Sequence, residues 1–183
     1  DDVKILGNPP FVGYSLQSKE QKADMLATYI DENGKPYKKA GKIDYVSGWY
    51  FKAAEYMNGT NVKTAFVSTN SITQGEQVAD IWEPLYHRFG IHIDFAYRTF
   101  RWDSESTNKA HVHVVIIGLS ACENNGEKYL FTDNISKHVD EINPYLHAAK
   151  TVFIKARTKA LCDVPKMLSG NRPTDGGNLI LSE

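Results

Sequence analysis

The chain has 183 residues, 42% hydrophobic and 23% charged, the balance of an ordinary soluble globular protein with room for one sizeable core. The formal net charge is −1 and the sequence pI is near 6.7, which excludes a surface that grips nucleic acid mainly through its own charge. No apolar run is long enough to span a bilayer as a helix, so a membrane-spanning bundle is excluded as well.

Asp1-Asp2-Val3-Lys4 lacks the charged and apolar regions of a signal peptide and does not begin with Met, so the chain is expected to be a piece of a longer, cytoplasmic protein. Val3 to Leu6 predicts a short buried strand, stopped by Gly7-Asn8-Pro9-Pro10 because two prolines supply no ladder donors. Ser18 to Ile30 predicts a helix capped by Ser18 and ended by Asn33-Gly34. Lys35 to Lys42 is a basic loop. Val46, Trp49, Tyr50, Ala53, Ala54 and Met57 follow helical spacing and predict a helix over Ile43 to Met57, ended by Asn58-Gly59. Thr64 to Ser68 is a short strand and Asn70 to Gly75 a loop. Glu76 to Phe89 is helical, with a kink or restart expected at Pro84.

Ile91 to Tyr97 alternates as a strand, a polar loop is expected from Thr99 to Lys109, and Val112 to Leu119 is a nearly continuous apolar strand, as for a position covered on both faces. Tyr129 to Phe131 and Val152 to Ile154 are candidate short strands. Glycines and Pro173 after Lys166 suggest a connector leading onward, which divides the chain into 1–165 and 166–183. Strands separated by helices imply an α/β fold with a parallel sheet. The two long strands joined only by a loop are expected to pair antiparallel. Cys122 and Cys162 form no CxxC pair and read as reduced cytosolic thiols.

Asn8-Pro9-Pro10-Phe11 directly follows the first strand, and open α/β sheets bind ligands beyond the carboxyl ends of their strands. The exocyclic amine of adenine is a poor nucleophile because its lone pair is delocalised into the ring. Accepting hydrogen bonds from both amine hydrogens raises its nucleophilicity. Asn8 offers a side-chain carbonyl and Pro9 a backbone carbonyl. The prolines stiffen the loop, so both acceptors are aimed in advance. Phe11 offers a flat face for a base. A plain turn after a strand is the bland reading of the same tetrapeptide.

These residues resemble motif IV of the amino-methyltransferases, (D/N/S)PP(Y/F). The wider chain is similar to the MmeI-like type IIL restriction–modification enzymes. That likeness rests on Gly7 to Gly13 with Glu20 to Asp24, Ala65 to Ile72 with Gln74 to Gln77, Arg98 to Trp102, His111 to Gly118 and Gly170 to Leu179. The resemblance implies the second half of a class I, Rossmann-like methyltransferase sheet, strands four to seven. It implies a parent enzyme that transfers methyl from S-adenosylmethionine to the N6 of an adenine flipped out of double-stranded DNA. Asn8, Pro9, Pro10 and Phe11 take the catalytic positions. Phe100, with Trp102 as second candidate, takes the aromatic position on the far face of the base.

The family's FxGxG donor loop and the acidic residue for the donor's ribose are absent from this chain, as is a PD…(D/E)xK nuclease pattern. The isolated piece is therefore expected to be inactive, its donor-binding and nuclease regions lying upstream and its target-recognition domain downstream. Methylation of cytosine N4, RNA or a protein glutamine uses the same tetrapeptide, and a DNA-binding scaffold without turnover is the non-enzymatic alternative.

The other candidates are weaker. His111 and His113 share a strand face without a third ligand, so no metal is expected, and His87 and His92 carry no stronger signal. Asp103, Ser104 and Glu105 lie beside the proposed base site. Ser18, Lys19 and Lys22, and the run Lys35, Lys38, Lys39 and Lys42, are candidates for phosphate contact or simply solvated. Trp49, Tyr50 and Tyr56 read as helix packing. The first strand is expected to leave a bare edge.

Overall fold

A computed structural model describes residues 3–102, 112–121, 126–133, 135–157 and 159–165, of Trp102 and Val112 the backbone alone. In chain order the elements are β1 (Lys4–Gly7), α1 (Lys19–Thr28), α2 (Ser47–Met57), β2 (Lys63–Thr69), α3 (Gln77–Phe89), β3 (His92–Trp102), β4 (Val112–Ser120), β5 (Lys128–Thr132) and β6 (Ile135–Val139). One sheet holds all six strands in the order β1-β2-β4-β3-β5-β6. β1 and β2 are parallel, and β4 runs antiparallel to both β2 and β3. The expected antiparallel pairing of the last long strands is therefore present. The sheet is mixed, with the expected parallel pairing present in β1 and β2, and β4 separates β2 from β3 because a strand returning through a loop need not join the edge of the sheet.

The local signals explain most boundaries. Ser18 closes a capping box: its hydroxyl accepts from the Gln21 amide at 3.2 Å, and its own amide donates to Gln21 Oε1 at 3.0 Å. A hydroxyl committed to that cap and to Glu20 is not available for the phosphate contact considered for it. Helix α1 ends at Thr28, earlier than the Asn33-Gly34 signal. Helix α3 continues through Pro84 and closes at Gly90, which adopts φ 61° where a left-handed C-cap favours glycine.

Helix α2 starts at Ser47 rather than Ile43. The preceding residues form tight turns in which the Asp44 carbonyl accepts from the Ser47 amide and hydroxyl. The loop expected from Thr99 is strand through Trp102. Register shifts at Ile93/Phe95 and Tyr97/Phe100 interrupt the alternation that marks a strand. Residues 103–111 lie outside the described residues. Val152–Ile154 is not a strand; Phe153 instead packs edge-on against Tyr86 and His87. Strand β6 carries no apolar alternation, since four of its five residues are exposed.

The core lies on one face of the sheet. Val115, Ile117 and Leu119 of β4, Phe66 of β2 and Ile93 and Ala96 of β3 join the buried residues of all three helices in a single cluster. Its centre is aromatic. Tyr50 meets Phe66 and Trp82 edge-to-face at 5.2 and 5.5 Å, and Phe51 meets Phe89 at 5.2 Å, geometry that adds to plain burial. Three buried polar tips are matched: Trp82 Nε1 donates to the Ile72 carbonyl, Tyr29 Oη to the Ile81 carbonyl, and Tyr50 Oη pairs with Ser68 Oγ. Tyr56, expected to pack, is 62% exposed. The first strand is a half-covered edge rather than a buried one, with Leu6 77% exposed and Ile5 packed on the core. Among the described residues it pairs only with β2. No described helix is long and apolar enough to cross a membrane.

Candidate active site

Strand directions place the site. β3 runs parallel to β1 and β2 because β4 reverses between them, so the carboxyl ends of β1, β2 and β3 share one rim. Gly7, Phe66, Ile117 and Ala96 form one row across the sheet. Thr69, Val114 and Phe100 form another, three residues farther along β2, or about 10 Å at the rise of a strand. β1 thus stops short, and β3 stands above the level where Asn8-Pro9-Pro10-Phe11 begins. The turn is tight: a Cβ on Gly7 would lie 3.1 Å from the Phe66 ring.

In that loop Asn8 and Pro10 are exposed, Pro9 is buried and Phe11 half-buried. The Asn8 side chain is exposed and makes no hydrogen bond to another described residue, so it is not spent in the core. Phe100 is half-buried and meets Tyr97 edge-on at 5.9 Å. The backbone of Trp102 pairs with Val112 at the far end of the same strand. The topology therefore brings the loop and the end of β3 to one rim.

The far side of the loop is held by residues that sequence reading passed over. Asp44 is 6% exposed. Its Oδ1 accepts from the Tyr14 amide at 3.0 Å, and its Oδ2 accepts from Ser71 Oγ at 2.5 Å and Gln77 Nε2 at 3.2 Å. The Asp44 amide donates to Gln77 Oε1 at 3.0 Å. On either side, the Tyr45 amide donates to the Val12 carbonyl and Gln17 Nε2 to the Ile43 carbonyl, each at 2.9 Å. The apparent helical periodicity through Ile43 concealed this station, and no local signal marks it.

The remaining candidates disperse. Lys39 pairs with Asp80 at 2.9 Å, a bond that holds its ammonium above the usual lysine range. Lys35, Lys38 and Lys42 are exposed, and a cavity of about 430 Å³ is lined by Lys39 and Lys42 together with Glu76 and Asp80, among others. Its acidic and basic groups offset each other. His113 is exposed; His111 and Asp103, Ser104 and Glu105 lie outside the described residues. Cys162 is exposed and free, and Cys122 lies outside them. No three metal-ligating side chains converge among the described residues.

The sequence profile described as the DNA-methyltransferase domain of MmeI matches residues 1–132. The chain belongs to the MmeI DNA-methyltransferase family. Within the family it is 44% identical over 183 residues to DNA methyltransferase A of Bacillus subtilis (strain 168), a match that takes in all of this chain and 20% of that protein. The type IIL restriction-modification enzyme MmeI, solved in complex with DNA, superposes with a TM-score of 0.85 at 43% identity, over 96% of this chain and 24% of that one. The chain thus spans about a fifth to a quarter of the length of these MmeI-family relatives. The profile match to residues 1–132 takes in the Asn8–Phe11 loop, Asp44 and the three strands of the rim, β1, β2 and β3.

Proposed function

We propose that this chain is the base-handling half of a DNA adenine-N6 methyltransferase from a restriction–modification system, residues 1–165 forming strands four to seven of a class I, Rossmann-like sheet and 166–183 a connector toward a target-recognition domain. The insertion of β4 antiparallel between β2 and β3 supports that reading of the sheet. The observation that carries it is the exposed Asn8 at the carboxyl end of β1, next to the buried Pro9.

The substrate is double-stranded DNA with one adenine extruded, at a cost of a few kcal/mol of unstacking. The Asn8 side-chain carbonyl and the Pro9 backbone carbonyl each accept one hydrogen from the adenine amine. That keeps electron density on the nitrogen and holds it pyramidal for attack. Phe11 stacks on one face of the base. Phe100, or Trp102 beyond it, closes on the other and repays part of the unstacking. The near-neutral chain does not supply the grip on phosphate, which falls to other parts of a longer cytoplasmic protein.

The family's methyl donor is S-adenosylmethionine. The residues present do not make a pocket for it: the strand-end loop at the rim is Asn-Pro-Pro-Phe, and no FxGxG turn occurs in the sequence. Donor binding is assigned to residues outside this chain, and the chain alone is predicted to be inactive.

Asn8→Ala in the full-length protein tests the assignment. Removing one aimed acceptor is expected to lower methylation by at least about 10²-fold, with DNA affinity unchanged in a filter-binding or anisotropy titration. Unchanged methylation would point instead to a scaffold that keeps the fold without turnover.

A further inference from the structure

We infer that Asp44 is the positioning residue that fixes the Asn8–Phe11 loop, an inference that rests on the base-handling role proposed for that loop. The loop has two ends. One is fixed by the parallel ladder, where Gly7 pairs with Phe66. The other leaves Phe11 into residues with no regular secondary structure. Its fixed points are the Val12 carbonyl, the Tyr14 amide and the Gln17 side chain, and all three bond to the consecutive residues Ile43, Asp44 and Tyr45. Between the two ends stand two prolines with little torsional freedom. Orientation of the Asn8 and Pro9 acceptors is thus a property of both anchors.

A carboxylate suits the second anchor. Three donors converge on Asp44 from three different segments: a backbone amide, a serine hydroxyl and a glutamine amide. An ionised carboxylate is acceptor-only and takes all three, and charge-assisted bonds of this kind are the stronger ones. An asparagine keeps an acceptor for the Tyr14 amide but turns an amide toward donors on its other side. The station also reaches the rest of the rim. Ser71 Oγ pairs with Thr69 Oγ1 at 2.9 Å, at the carboxyl end of β2, and Gln77 is the first residue of α3. Asp44 therefore ties the loop after β1 to the end of β2 and the start of α3. It does so without facing the base, which makes its effect one of aim rather than contact.

The test is steady-state methylation by the full-length protein carrying Asp44→Ala, Asp44→Asn or Ser71→Ala, with Asn8→Ala in the same assay. A misplacement of about 1 Å at a reacting centre costs on the order of 10²-fold. Asp44→Ala is accordingly expected to lose about 10- to 100-fold in kcat with KM for DNA unchanged. Asp44→Asn, which keeps the Tyr14 contact, is expected to recover part of that loss. Ser71→Ala, which removes one donor and leaves the carboxylate, is expected to lose a few-fold at most. Should Asp44→Ala fail to fold, as judged by circular dichroism, the Asn variant and Ser71→Ala carry the test. An inactive Asn8→Ala beside Asp44 variants that keep wild-type kcat, or that raise KM alone, overturns the inference and leaves the base-handling role standing. Wild-type turnover by Asn8→Ala overturns the role itself, and the inference with it.

Discussion

Gly118 in the middle of β4 lies under the ring of Phe95: a Cβ there would fall 2.1 Å from a ring atom, far inside contact distance. Gly118→Ala is therefore expected to displace the ring and to destabilise the chain by about 1–3 kcal/mol, the usual cost of overfilling a packed site. In a thermal melt each kcal/mol lowers the midpoint by about 2–4 °C for a chain of this size, and an unchanged midpoint would mean that the ring moves freely. Single residues differ in how well the sequence exposes their roles. Asn8, Pro9 and Phe11 stand out as candidates because their chemistry and their place after a strand are both local. Asp44 is not, because its partners lie 27 to 33 positions away and only the fold brings them together. Phe100, proposed for the far face of the base, sits in a strand and not in the expected loop.

At the scale of elements, signals with a local mechanism read correctly. The Ser18 cap, the α2 apolar stripe ending at Asn58-Gly59, and the long strand β4 all stand where the pattern puts them. The departures share a cause: tertiary contacts overrode the local pattern. The irregularities in β3 shift its register twice, which hides the outer part of the strand that carries Phe100. The turns before α2 release Asp44 from helical geometry so that its carboxylate can reach the loop. β1 reads as buried from its apolar residues, yet Leu6 stays exposed because no described element covers that side of the edge. β6 lacks a signal because its pairing with β5 is made by backbone groups, and only Val139 reaches the core.

At the scale of the whole molecule, α2 and α3 bury Tyr50, Phe51, Trp82 and Phe89 in one core against the sheet, and tyrosines lie deep in it. Burial pushes the phenols of Tyr29, Tyr50 and Tyr86 well above their ordinary value of 10.0. In the unfolded chain these groups ionise from about pH 10, whereas in the folded chain they keep their protons. The folded state then binds more protons, and stability falls as pH rises. Each such phenol costs about 1.4 kcal/mol per pH unit above that point. Urea titrations from about pH 9 to about pH 11 are expected to show a falling midpoint together with the loss of the folded signal. A flat midpoint would contradict the burial.

The fold class and the rim were thus readable from strand order and one tetrapeptide. The sheet order was not, because the position of β4 depends on pairings between distant segments. On the proposed reading, a near-neutral chain whose Asn8 and Pro9 carbonyls are the acceptors handles a base rather than a backbone. Digestion to nucleosides of DNA methylated by the full-length protein tests this most directly. The account predicts N6-methyladenine as the modified nucleoside, because two carbonyl acceptors beside stacking rings suit the adenine amine; N4-methylcytosine in its place, or no modified base, would contradict it.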